Sequence, residues 1–171
     1  GRKIIVNIVG AVDPSIQASI DYGAEIEHQI KTLGLEEEVI LHGMKMHEGI
    51  APIMKRSRAF VAPYVELESG DKDGIPTAML EALATGLPIV TTDAGSILEI
   101  VQDGMQALIS PQRNSLAYTE ALDKLITDPS LERKLAKEAR KRFDEAFDIK
   151  VTERRLHERV AAALQPAPVA Q

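Results

Sequence analysis

Between Asp71 and Gly104 the chain reads DKDGIPTAMLEALATGLPIVTTDAGSILEIVQDG, an acidic loop, a helix, a tight turn and a strand in direct succession. The chemistry this stretch offers first is anion binding. Gly74 permits close backbone approach, Pro76 suits the first helical turn because its missing N–H is not needed there, and Gly86 ahead of Pro88 suits a left-handed C-cap. The N–H groups of Thr77 and Ala78 then point outward from a helix start, where the partial positive charge attracts phosphate or carboxylate. Within the helix, Thr77, Glu81 and Thr85 recur every four positions and share one narrow polar stripe on an otherwise apolar cylinder. A solvent face would carry several long charged side chains, so a single Glu flanked by two threonines fits a cleft wall. It equally fits a helix edge with an incidental Glu, and spacing alone does not separate the two.

Asp73 precedes the same helix start, eight positions ahead of Glu81. Capping and the helix dipole already account for an acid at that place. The Asp71-Lys72-Asp73 triplet also resembles the Asp-x-Asp pair that holds a divalent metal and a nucleotide diphosphate in one metal-dependent enzyme fold, but the sequence supplies no third ligand. A calcium loop fails too, since Gly74 at its sixth position puts Leu80 where the bidentate Glu belongs. His28, His42, His47 and His157 do not cluster at metal-ligand spacing, and no Ser-His-Asp set with an elbow motif is present. The basic group Lys55, Arg56 and Arg58 and the run from Arg133 to Arg142 read as solvated faces.

These residues need a scaffold, and the rest of the chain describes one. Short apolar runs at Ile4 to Val9, Val39 to His42, Ala59 to Ala62, Ile89 to Thr92 and Ala107 to Ser110 alternate with helical stretches. The helices are expected at Ile16 to Leu33, Ile50 to Arg56, Thr77 to Thr85, Leu116 to Ile126, Leu131 to Phe147 and Val151 to Leu164. This alternation predicts an α/β, Rossmann-like three-layer sandwich whose parallel strands are covered on both faces. His42 and Gly43 fall at a strand's carboxyl end, the edge at which open α/β sheets bind ligands.

The 171 residues are 44% apolar and 27% charged, which bounds the chain to a globular class with one expected core, over 1–164, and a disordered tail, 165–171. Cysteine is absent, which excludes thiol catalysis and cysteine metal sites. With 26 acidic against 20 basic residues the net charge is −6, which disfavours a nucleic-acid partner. No apolar run reaches the roughly 18 residues of a membrane span. The start at Gly1-Arg2-Lys3, running straight into a strand, suggests a piece of a longer protein of the cytoplasm.

The stretch from Pro63 to Gly104 resembles the donor-binding signature of the retaining GT-B glycosyltransferases of family 4, the glycosyl transferases group 1. That signature is Glu-Gly-Phe-Gly/Pro followed by a helix ending Leu-Glu-Ala-Met-Ala-x-Gly-x-Pro-Val-Val. It stands here as Asp73-Gly74-Ile75-Pro76, then Leu80-Glu81-Ala82-Leu83-Ala84-Thr85-Gly86-Leu87-Pro88-Ile89-Val90, and the match continues through Thr92-Asp93-Ala94-Gly95 and Glu99-Ile100-Val101 to Asp103-Gly104. Upstream, Ile4 to Gly10, Leu33-Gly34-Leu35, Val39 to Gly43 and Ala59 to Pro63 fall in family order. The resemblance implies one half of a GT-B fold, the C-terminal half that binds a UDP-, GDP- or ADP-linked sugar and works with a separate N-terminal acceptor domain. By it, Glu81 accepts hydrogen bonds from the ribose hydroxyls, and Asp73, one methylene shorter than the family's Glu, takes the catalytic place beside the donor sugar. Gly74, Ile75, Pro76 and Thr77 face the sugar and diphosphate, and Gly43 and Met44 face the base. No metal or other cofactor is expected, and no membrane contact by this part. The rival expectation is a non-catalytic Rossmann-like binding module in which Asp73 is a cap and Glu81 a helix-edge residue.

Overall fold

The computed structural model describes residues 3–66 and 74–164. It is α/β, and each of its described strand pairs is parallel, as the alternation of apolar runs and helices implies. The chain divides into two compact units, Gly1–Arg56 and Ser57–Gln171.

The first unit holds β1 (Val6–Ile8), α1 (Gln17–Thr32), β2 (Val39–Leu41) and α2 (His47–Arg56). β1 and β2 pair with Val6 opposite Val39 and Ile8 opposite Leu41. The expected helix end at Leu33-Gly34-Leu35 is a left-handed turn: Gly34 has φ 64°, and the Leu35 N–H reaches the Ile30 carbonyl at 2.9 Å. α2 starts at His47 rather than Ile50, because the Gly49 and Ile50 N–H groups both bond to the Met46 carbonyl and close an extra turn. The expectation of strands covered on both faces fails here. All of β1 and most of β2 is exposed, and α1 buries no residue. Two short strands offer too little area for helices to close over.

The second unit holds β3 (Phe60–Ala62), α3 (Thr77–Thr85), β4 (Ile89–Thr92), α4 (Ile97–Ile100), β5 (Ala107–Ser110), α5 (Ser115–Thr127), α6 (Pro129–Ala146) and α7 (Ile149–Ala163). Its sheet runs β3-β4-β5, and the central strand β4 is buried at every residue, as a parallel strand covered on both faces should be. Val90, Leu108, Leu125 and Leu135 form a core cluster, flanked by Ala59, Tyr118, Ala121, Leu122 and Leu131. Each such aliphatic side chain contributes about 1.5–3 kcal/mol on burial. Tyr118 reaches in from α5 and donates to the Val90 carbonyl at 2.8 Å.

Two features of this unit depart from the sequence expectations. The four-residue helix α4 was not among them, being too short for periodicity to show. The run from Arg133 to Arg142 is more than a solvated face. On α6, Arg140 donates to the Ala84 carbonyl at the end of α3, Arg142 to the Glu99 and Ile100 carbonyls at the end of α4, and Lys134 to the Gly104 carbonyl. Cations thus meet helix carboxyl ends, where the dipole favours them. Arg58 likewise pairs with Glu132 through two hydrogen bonds, which raises its guanidinium further above the ordinary value.

Candidate functional site

α3 is the best-formed part of the candidate site. It follows β3 in a β-α-β unit, so its amino end lies at the carboxyl edge of the sheet. Its apolar face is fixed by Met79, Ala82 and Leu83, each fully buried, and it packs against α6 and β4. Its far end closes as the sequence implies. Gly86 sits at φ 71°, its N–H bonds to the Leu83 carbonyl and the Leu87 N–H to the Ala82 carbonyl, both at 3.0 Å. With one face and one end pinned, the other face and the amino end are held in a fixed orientation.

That other face carries the polar stripe. Thr77 and Thr85 are exposed and Glu81 is half-buried between them, so the spacing of four does put all three on the open side of the cylinder. Thr85 is occupied by the helix itself, its hydroxyl donating to the Glu81 and Ala82 carbonyls at 3.0 and 2.9 Å. Glu81 and Thr77 share the open side of the helix with it.

At the amino end Pro76 is the N-cap rather than the first helical residue, with φ −65° and ψ 118°. Its fixed φ serves equally well there, and its carbonyl accepts the Met79 N–H at 3.0 Å. A proline N-cap has no side-chain acceptor, and among the described residues no side chain caps α3. The longer helices after it do: Asn114 caps α5, Asp128 caps α6 and Asp148 caps α7. Gly74 and Ile75 are exposed just ahead of this start, and nothing lies within 4 Å of where a Gly74 Cβ would stand. Gly74, Ile75, Pro76, Thr77 and Glu81 are therefore brought together at one helix end. Asp73, and with it Asp71, lies outside the described residues.

Gly43 and Met44 belong to the first unit, directly after β2. Gly43 has φ 64°, and its carbonyl accepts the Gly10 N–H at 3.0 Å, which ties together the carboxyl ends of β1 and β2. Met44 is 78% exposed. Beside them His42 Nε2 lies 2.8 Å from Asn7 Oδ1, so this histidine has a local partner. Among the described residues no group of three or more His, Asp or Glu side chains gathers as a metal site would require. No described helix is long and apolar enough to cross a membrane.

Sequence reasoning missed the polar contacts at the loop ends beyond β3, β4 and β5, where Glu66, Asp93, Gln112 and Arg113 bond to one another's segments. The only signal was the chain position of these residues just past predicted strands.

Comparison with known proteins agrees with this geometry. Residues 1–142 match the family model described as glycosyl transferases group 1. The amylovoran biosynthesis glycosyltransferase AmsK of Erwinia amylovora is 33% identical over 110 residues, 62% of this chain and 27% of that protein. The putative colanic acid biosynthesis glycosyltransferase WcaL of Escherichia coli K12 is 29% identical over 137 residues, 76% of this chain and 33% of that protein. The chain thus spans a third or less of these relatives. Among solved structures, HepE of Anabaena in complex with UDP superposes with a TM-score of 0.79 at 22% identity, covering 93% of this chain and 41% of HepE. The C-terminal domain of the glycosyl transferase group 1 family protein LpcC of Francisella tularensis gives a TM-score of 0.66 at 25% identity, covering 78% of this chain and 66% of that one. The family match takes in β1 to β5, the start of α3 and its Glu81 stripe, and the chain belongs to the glycosyl transferases group 1 family, with an α/β fold of the GT-B type.

Proposed function

We propose that this chain is the C-terminal, donor-binding half of a retaining glycosyltransferase of family 4, which transfers a hexose from a nucleotide diphosphate sugar to an acceptor held elsewhere. The observation that carries the reading is the start of α3: a helix end that no described side chain caps, a glycine with open space beside it, and a carboxylate one turn further on the polar stripe. The likeness to the C-terminal domain of LpcC supports the C-terminal position, and the UDP held by HepE supports a nucleotide donor.

In this reading the Thr77 and Ala78 N–H groups receive the diphosphate, whose negative charge grows as the sugar leaves. Preorganised donors at a departing anion lower the barrier because they need no reorientation during the reaction. Glu81 accepts from the ribose hydroxyls, since a carboxylate offers two acceptor oxygens to a vicinal diol. Asp73 serves the donor sugar, and Gly43 and Met44 the base. No divalent metal is required, the reaction takes place in the cytoplasm, and the acceptor belongs to polysaccharide or glycoconjugate synthesis, as the names of AmsK and WcaL suggest for those proteins.

Calorimetric titration with UDP-, GDP- and ADP-sugars, each with and without EDTA, tests this. One nucleotide sugar is expected to bind, to exclude its parent nucleotide, and to keep its affinity in chelator. Absence of binding to all three at millimolar concentration would favour a non-catalytic module, and loss of binding in EDTA that metal restores would refute the metal-free reading.

A further inference from the structure

The five methionines of the chain stand in very different settings. Met54 and Met79 are buried, Met105 is 40% exposed, and Met44 and Met46 are 78% and 77% exposed. Met44 and Met46 lie between β2 and α2, past the carboxyl end of β2. The backbone is tied on both sides of them. The Gly43 carbonyl accepts the Gly10 N–H at 3.0 Å, and the Met46 carbonyl accepts the Gly49 and Ile50 N–H groups at 2.8 and 3.2 Å. Two thioethers are thus displayed on one anchored loop at the ligand-binding edge of their unit. A methionine open to solvent is readily oxidised, and one packed in a core is shielded.

We propose that Met44 and Met46 form a reversible oxidation site, at which hydrogen peroxide converts both thioethers to sulfoxides and so weakens nucleotide binding. At each residue a sulfur lone pair attacks one peroxide oxygen. The S–O bond forms as the O–O bond breaks, and a proton passes to the departing oxygen, so sulfur is oxidised and the peroxide is reduced to water. The effect on binding rests on the donor-binding reading, in which Met44 faces the base. A thioether packs well against an aromatic ring, whereas a sulfoxide is polar and must shed water to meet it. The fold bears little of the change, since neither side chain belongs to the core. Methionine sulfoxide reductases restore the thioether, so the modification can be undone.

The test exposes the 171-residue chain to graded hydrogen peroxide and maps oxygen uptake at each methionine by peptide mass spectrometry. Affinity for UDP, GDP and ADP and the melting temperature are measured at each dose. Met44 and Met46 are expected to oxidise first, Met105 later, and Met54 and Met79 last. Affinity for the nucleotide that binds is expected to fall about tenfold in step with Met44 and Met46, at a nearly unchanged melting temperature, and to return after treatment with the reductases. Met105 is the internal comparison: it precedes β5, at the amino edge of the second unit's sheet, and its oxidation should leave affinity alone. A variant carrying Met44→Leu and Met46→Leu is compared only with itself before and after peroxide, and is expected to lose the response. Oxidation of Met44 and Met46 no faster than of Met54 and Met79 would overturn the proposal, as would unchanged affinity of the doubly oxidised chain or an undiminished response in the variant. An affinity loss matched by a fall in melting temperature would overturn it too, since damage to the core would then explain both. If the untreated chain binds none of the nucleotides, the donor reading fails and the effect on binding falls with it, while the order of oxidation still decides the modification site.

Discussion

Two side chains show how local chemistry fixes this structure, and each makes a prediction. The Tyr118 phenol is pushed up by burial, and it donates to the Val90 carbonyl of the central strand. Tyr118→Phe is therefore expected to cost about 0.5–1.5 kcal/mol in urea unfolding at neutral pH. Because the folded pKa lies above the unfolded one, the tyrosine's contribution is full below pH ~10 and is lost as pH rises beyond it. Parent and variant stabilities should converge in alkali, and a constant difference up to pH 11 would contradict this. Asp128 has the opposite sign. Hydrogen bonds from the Ser130 side chain and the Leu131 backbone hold its carboxyl below the ordinary value. Its stabilisation is full at neutral pH and is lost as pH falls through that lowered value, so the parent should lose melting temperature more steeply than Asp128→Ala between pH 5 and pH ~2. Parallel curves would show that the cap contributes nothing through its charge. Glu81 differs from both, since its stripe position serves a ligand in the present reading and not the fold.

The helix α3 was readable from the sequence in full, and the reason lies at its borders. Pro76 and Gly86 are residues that few other settings tolerate as well, and the apolar spacing between them leaves no other register. What lies past the borders was harder. The role of Arg140 and Arg142 was missed because a cation that caps another helix carries the same sequence signal as one in solvent. α4, with four residues, gave no period to detect. The exposure of β1 was missed because a continuous apolar run reports how a strand would prefer to pack, not how much covers it. The helix borders also predict an outcome. A Cβ at Gly86 would meet the Ala136 carbonyl and Arg140 Cβ at 3.6 Å, ordinary contact distances, so Gly86→Ala should be penalised by its φ of 71° and not by crowding. A loss of about 1–2 kcal/mol is expected in denaturant unfolding. A neutral substitution would mean that the turn relaxes to another conformation.

At the level of the protein, the proposed reading assigns the nucleotide chemistry to this chain and the acceptor chemistry to a separate domain, a reading that the family match and the parallel α/β fold support. The chain alone is accordingly expected to turn over no sugar, and a radiolabelled glycoside formed by the purified 171-residue chain would refute that division. Of the candidate site, the α3 start and its stripe were visible in the motif, whereas the strand-end contacts of Glu66 were not, because they depend on which loops the topology brings side by side. The most direct measurement is nucleotide affinity of the parent and of Glu81→Ala, each titrated with UDP and with 2′-deoxy-UDP. The account predicts that Glu81→Ala keeps its fold by circular dichroism and binds UDP roughly tenfold to a hundredfold more weakly, as loss of one or two charge-assisted hydrogen bonds implies. It further predicts that the deoxy nucleotide is penalised with the parent but hardly at all with the variant, the non-additivity that marks a direct partnership. Equal UDP affinity in parent and variant, or a variant that fails to fold, would make Glu81 a structural residue and contradict the site assignment.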